Sequence, residues 1–303
     1  MLQACQTVKA ACALIGISWD QAWHALERAV ARGLARKDAV EIARIGVDEK
    51  AFRKGHRYMT IVSDIDRGTV DFVFDGREKV SLAAYFGCCT PKQHNAIKAM
   101  AMDIWEPYVQ AALEAVPLAC SKIVYDRFHI MKHMTEAVDV VRRRENRSLA
   151  EDGDDRLKRT KHLWIASKEN IPPRRRAELR ELRATHLKTT RAWAIKENLR
   201  HLCSYQVESW ARRFFDGWHA WAIRSRMEPV KAVAQMLARR LDNVITYWRH
   251  AITNVVAEGL NSNIMAIKRL AGGHRNPANF KTVIYLLRWA ARSPIKIPDG
   301  PSD

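Results

Sequence analysis

The sequence predicts an α/β protein: a mixed sheet, broken by a large all-helical insertion and preceded by a small helical segment. Three observations predict it. The apolar period switches from helical to alternating near Ala43, several short strand patterns then follow, and the middle third is helical and strongly basic. The chain has 303 residues, 34.7 kDa and 48% hydrophobic content, enough to bury a sizeable core and too much for a disulfide-stapled peptide. Lys and Arg number 51 against 33 Asp and Glu, a formal charge of +18, so the expected large partner is a polyanion.

The first 42 residues read as two helices about a glycine turn. Val8 to Gly16 is the first, Ser18 is the N-cap of the second, and Trp19 to Val30 carries it onward. That is the grammar of a helix-turn-helix, which either contacts DNA or simply packs. From Ile45 the strands begin. Ile45-Gly-Val-Asp48 reads as a short buried strand ending in an acid. Tyr58 to Ser63 and Thr69 to Phe74 flank a hairpin turn at Asp64-Ile-Asp-Arg-Gly68. Short helices near Val80–Phe86 and Pro91–Asn95 precede a fourth strand, Ile97 to Asp103. A helix from Trp105 to Ala115 then leads to a fifth strand, Lys122 to Asp126. Strand, strand, strand, helix, strand, helix, strand is the order of a ribonuclease-H-like core over residues 43–130. In open sheets ligands gather at strand ends, which would bring Asp48 and Asp103 together. Two such carboxylates are half of a two-metal phosphoryl-transfer site.

Residues 131–250 form the insertion. Residues 130 to 257 hold 27 basic and 15 acidic side chains, whereas residues 1 to 129 hold 17 and 15. The helical pattern breaks at Glu151-Asp-Gly-Asp-Asp155 and restarts at Pro172-Pro173. Arg142, Arg143, Arg144, Arg174, Arg175 and Arg176 are candidate phosphate contacts, although a solvated helix face is the plainer reading. Six of the ten tryptophans lie here (Trp164, Trp193, Trp210, Trp218, Trp221 and Trp248). They are expected to build a helical core, with one or two left to stack on exposed bases. Residues 251–303 return to the core as helices. On a helix from about Asn254 to Ala271, Leu260, Ile264, Ile267 and Ala271 make an apolar stripe, and Glu258 lies across from it. Glu258 is the expected third carboxylate, with Asn261, Lys268 and Arg269 set to grip phosphate oxygens.

Six cysteines show no C-x-x-C pair and no zinc spacing, and no apolar stretch reaches membrane-spanning length. Reduced thiols in a soluble, cytoplasmic, nucleoid-associated protein with no membrane partner are the expectation.

Four stretches in order carry a family resemblance: Gly46-Val-Asp-Glu-Lys-Ala-Phe-Arg-Lys-Gly55 with His56 and Tyr58; Met102-Asp-Ile-Trp-Glu-Pro-Tyr108; Tyr125-Asp-Arg-Phe-His-Ile130; and Ala257-Glu-Gly-Leu-Asn-Ser-Asn-Ile-Met-Ala-Ile-Lys-Arg269 with Gly273-His-Arg-Asn276 and Phe280. From about Ile45 to Ala290 the chain resembles the DDE transposases of the ISL-three family of bacterial insertion sequences. The resemblance implies a ribonuclease-H-like catalytic core with a helical insertion. It also implies dependence on Mg²⁺, with Mn²⁺ able to substitute, and metal-dependent cleavage and strand transfer at the ends of the element. Double-stranded DNA, as transposon ends and target, would be the substrate, and a homodimer on DNA the working form. Carried across, Asp48, Asp103 and Glu258 are the catalytic and metal-binding acids. Asp126 competes with Asp103 for the middle place, and otherwise it and His129, in a D-x-x-H arrangement, take a supporting role. Family members usually carry a zinc ribbon before the core, which this chain lacks, so the alternative expectation is an inactive, N-terminally truncated remnant that binds DNA.

Overall fold

A computed structural model of the chain describes residues 8–37, 40–53, 57–205, 207–245, 252, 255–270 and 276–290. It divides into two compact units, residues 1–123 with 252–303, and residues 124–251. The sequence reading starts the helical insertion at 131, whereas the second unit starts at 124. The difference arises because the first helix of the second unit begins almost directly after a strand, with no loop to mark the change.

The first unit opens with α1 (Val8–Ile15) and α2 (Trp19–Ala35). Ser18 caps α2 as its composition predicts: Ser18 Oγ accepts from Gln21 N at 3.2 Å and Gln21 Oε1 accepts from Ser18 N at 2.9 Å, a reciprocal capping box. Then come β1 (Arg44–Arg53), β2 (Arg57–Asp64) and β3 (Thr69–Asp75) as an antiparallel meander. Asp64 closes the β2–β3 turn by accepting from Arg67 N at 3.0 Å, and Gly68 takes the left-handed conformation at φ 62°. Helices α3 (Lys79–Gly87) and α4 (Pro91–Ala96) lead to β4 (Ala99–Met102), and α5 (Glu106–Ala115) and α6 (Ala119–Lys122) lead to β5 (Ile123–Tyr125). The five strands lie in the order β3-β2-β1-β4-β5, with β1 and β4 parallel.

Side chains alternate across this sheet and give it two buried faces. On one, Thr60 Oγ1 lies 2.8 Å from Tyr108 OH of α5, and α3 packs against α5 and β3. On the other, Met59, Ile61, Val70 and Val73 form a core with Ile264, Phe280 and Ile284 from two helices, Val255–Leu270 and Pro277–Ala290. Tyr285 OH accepts from Val73 N at 2.9 Å, tying the last helix to β3.

The second unit is helical. Its spine is the 25-residue α7 (Arg127–Glu151), against which α8 (Lys161–Ile165), α10 (Lys188–Leu199) and α12 (Glu228–Ala238) pack; α9 (Pro173–Arg183), α11 (Glu208–Arg224) and α13 (Leu241–Ile245) complete it. The proline start of α9 and the end of α7 beside Gly153 fall where the sequence placed them. Of the tryptophans, Trp164, Trp193 and Trp218 are buried, whereas Trp210 and Trp221 are exposed; Trp248 lies outside the described residues. Glu145 of α7 caps α10 from a distance, accepting from Lys188 N and Thr189 N at 2.7 Å each. No helix among the described residues is long and apolar enough to cross a membrane.

Candidate active site

Two of the predicted acids meet through strand register. The parallel pairs Arg44–Ala99, Ile45–Met100 and Gly46–Ala101 stop two residues short of Asp48 on one strand and of Asp103 after the other, and the same register carried on would set the two acids side by side. Neighbouring strands are about 4.8 Å apart, so carboxylates 55 positions apart in sequence arise from adjoining backbone positions. Asp103 lies one residue past β4 and closes the turn into α5: its Oδ1 accepts from Ile104 N at 2.6 Å and its carbonyl from Trp105 N at 2.8 Å. Asp48 Oδ1 accepts from Glu49 N at 2.7 Å, and Oδ2 lies 3.2 Å from Lys50 Nζ. One expectation is corrected here, because β1 does not end at Asp48 but continues to Arg53, putting the acid in mid-strand.

The third acid belongs to the Val255–Leu270 helix, close to the predicted limits. That helix is docked on the face of the sheet bearing Asp48. Asp48 is the register partner of Ile61, and Ile61 shares its core with Ile264. Further along, Lys268 Nζ donates to Ala51 O of β1 at 2.7 Å. Glu258 is helical, but its side chain, like that of Asn261, lies outside the described residues. Arg269 is exposed and donates to Met265 O of its own helix at 3.3 Å.

A cluster the sequence did not single out borders the pair. Glu49 follows Asp48 and Trp105 follows Asp103 by two, and Arg77, from the loop after β3, is held between these segments. Its guanidinium carbon stands 4.2 Å from the Tyr58 ring centroid and 4.8 Å from that of Trp105, while Trp105 Nε1 donates to Arg77 O at 2.8 Å. Arg77 Nη1 is 3.5 Å from Glu49 Oε1. Burial pushes the Glu49 carboxyl up from the usual range; Arg77 counters this, and the negative charges of Asp103 and Asp48 add to the rise. Glu49 and Trp105 sit inside stretches whose pattern was legible, whereas nothing around Arg77 in the sequence marks it.

As donors, Asp48 and Asp103 suit a hard divalent cation, being carboxylates on adjoining strands. Among the described residues, no set of three His, Cys, Asp or Glu side chains is gathered for a metal, so completion of such a site would need the Glu258 carboxylate.

Asp126 and His129 stand on the second unit. Asp126 is the N-cap of α7, its Oδ1 accepting from Phe128 N at 2.9 Å, and His129 lies edge-on to the Phe128 ring with centroids 5.4 Å apart. The six arginines differ. Arg142 and Arg143 share Asp139, at 2.8 and 3.3 Å; Arg175 forks onto Glu178 at 2.9 and 3.0 Å; Arg176 donates to Ile171 O at 3.1 Å. Arg144 and Arg174 are exposed and form no ion pair with a described residue.

A sheet ordered 3-2-1-4-5, with an acid on its first strand, another directly after its fourth and helices on both faces, defines a ribonuclease-H-like core. Residues 45–284 match the model of a transposase family, the DDE transposases of the ISL3 (ISL-three) type, and the chain belongs to that family. It is 30% identical over 269 residues to the transposase for insertion sequence element IS1001 of Bordetella parapertussis, an alignment covering 86% of this chain and 66% of that protein. It is 28% identical over 295 residues to the transposase for insertion sequence element IS1557 of Mycobacterium tuberculosis (strain CDC 1551 / Oshkosh), covering 88% and 65%. The chain thus spans just under two thirds of the length of these curated relatives.

Proposed function

We propose that this protein cuts DNA at insertion-sequence ends and joins the released 3′ ends to target DNA, using Asp48, Asp103 and Glu258 as its catalytic acids. The observation supporting this reading is the parallel β1–β4 register, which runs to within two residues of Asp48 and Asp103, on a sheet whose Asp48-bearing face receives the helix that contains Glu258. These three would hold magnesium, or manganese in its place, and a bound cation of this kind supplies charge stabilisation to attacking and leaving phosphate oxygens. The chain's own part is to bind and orient. The two carboxylates are fixed by backbone N–H donors at 2.7 and 2.6 Å. Arg269, exposed on the Glu258 helix, is placed to take a phosphate oxygen, as is Asn261. Lys268 is committed to Ala51 O, so its share is to hold the helix as well as to add positive charge. Asp126 fixes the first turn of α7 and so positions His129, which supports the reaction without holding the metal. The arginines of the second unit add sequence-independent affinity, and two copies acting on paired ends form the working assembly.

The test is cleavage of a labelled duplex bearing the element's end, with Mg²⁺ or Mn²⁺ present. Alanine at Asp48, Asp103 or Glu258 is expected to lower the rate about a thousandfold or more while leaving DNA affinity within about twofold. Asp126→Ala is expected to lose less than about tenfold and to melt earlier, since an N-cap contributes about 1 kcal/mol. Retention of cutting by Asp48→Ala, or binding without cutting under either metal, overturns the proposal and leaves a DNA-binding protein.

A further inference from the structure

Helix α11 buries one face and leaves an aromatic stripe along the flank of that face. Ala211, Phe215, Trp218 and Ala222 point into the second unit's core. Trp210 and Trp221 do not: they remain 57% and 40% exposed. Eleven residues apart, they lie within about 20° of each other at 100° per residue and about 16 Å apart along the axis. Gly217 lies between them on nearly the same line, exposed, with nothing within 4 Å of where a Cβ would stand, while half-buried Phe214, about 40° from the Trp210 direction, borders the strip with its ring centroid 5.1 Å from that of Tyr205.

The charges on this helix are sorted by face. Arg213 and Arg224, both exposed, fall within about 60° of the Trp210 direction, whereas the acids Glu208 and Asp216 lie about 120° or more away. Glu208 is also occupied by Arg212, at 2.8 Å. Arg213 forms no ion pair with a described residue, and Arg224 Nε donates only to Ala220 O of its own helix, at 3.1 Å. A lone exposed tryptophan would need no explanation, but two aligned indoles flanked by cations alone define a surface with a chemistry. A second copy of this chain is a poor occupant, since a two-fold contact through the stripe would set arginines against arginines.

We propose that this face of α11 binds single-stranded DNA, with Trp210 and Trp221 stacking on unpaired bases and Arg213 and Arg224 taking flanking phosphates. Planar indoles suit any base, arginines suit the backbone between them, and the bases of a duplex are already stacked. The inference rests on DNA being the protein's substrate, and it requires no cutting.

The experiment uses the full chain in metal-free buffer with a fluorescein-labelled oligo(dT) strand of about 20 nucleotides and a duplex of equal length. Trp210→Ala and Trp221→Ala are each expected to weaken oligo(dT) binding about tenfold, while Trp→Phe at either site retains most of it. Duplex affinity is expected to stay within about twofold, and oligo(dT) to quench tryptophan emission less in the alanine variants than in the parent. The proposal is overturned if the double alanine variant, with unchanged circular dichroism and melting temperature, binds oligo(dT) as the parent does. It is equally overturned if single-strand and duplex affinities fall together, or if the substitutions lower the oligomeric state by sedimentation. Failure of metal-dependent cutting with oligo(dT) binding intact would count against the catalytic reading alone. Normal cutting with insensitive tryptophans would count against this one alone.

Discussion

Lys196 shows what a single charge costs and secures inside the helical unit. It is 1% exposed, and its ammonium donates to Trp164 O and Ala166 O at 2.8 Å, closing the carboxyl end of α8, while Glu197 lies 3.0 Å away. Burial lowers its pKa from the ordinary lysine value of 10.5, and Glu197 partly offsets that. A base whose folded pKa is depressed binds fewer protons folded than unfolded between the two values, so stability rises with pH across that window and is lower below it. Lys196→Met removes the penalty but strands the carbonyls and leaves Glu197 to Arg200, 2.8 Å away, and to Lys168 N at 3.3 Å. We expect a net loss of about 2–3 kcal/mol at pH 8 by urea unfolding, growing as pH approaches 10.5 because only the parent gains stability across that window. A Met variant as stable as the parent at pH 8 would mean that the cap on the Trp164 and Ala166 carbonyls contributes little.

At the scale of elements, the docking of the Val255–Leu270 helix sets the helix that contains Glu258 on the sheet face that bears Asp48. Ile264 is 1% exposed and carries that docking. Ile264→Ala is expected to cost about 2–4 kcal/mol in stability and, at temperatures where the protein stays folded, to slow cleavage more than it weakens DNA binding. Equal losses in both would show that the helix does not position chemistry. The same elements show what could be read from the sequence and what could not. Alternating apolar residues exposed β2 and β3, a continuous apolar run exposed β4, and Ser18, Pro91 and Pro173 marked their helix starts, because caps and periods are local properties. The far half of β1 was not legible. The sequence reading ends the strand at Asp48, yet the chain goes on pairing with β2, Glu49 with Thr60 and Lys50 with Met59, up to an irregularity between Ala51 and Arg53. The charge is tolerated because β4 ends at Met102, so beyond Asp48 β1 has a ladder partner on one side only and its polar side chains reach water. Arg77 was invisible for a related reason: its significance comes from Tyr58, Trp105 and Glu49, three contacts made only once the strands have paired.

Across the whole molecule the governing quantity is +18 of net charge, most of it between residues 130 and 257. A formal charge does not translate arginine by arginine into DNA affinity, because only a cation that releases a counterion contributes to the salt dependence of binding. Arg142 is already neutralised: its side chain is 11% exposed and its partner Asp139 sits at 2.8 Å. Arg144 and Arg174 are exposed and unpaired among the described residues. We therefore expect Arg144→Gln and Arg174→Gln each to reduce the slope of log K against log salt for duplex DNA by up to about 1, whereas Arg142→Gln leaves the slope unchanged and instead lowers the melting temperature. Fluorescence anisotropy titrations across a range of salt concentrations read these slopes directly. If the Arg142 variant changes the slope and the Arg144 and Arg174 variants do not, the internal ion pairs open on DNA, and exposure in the free protein is no guide to which cations the phosphates meet.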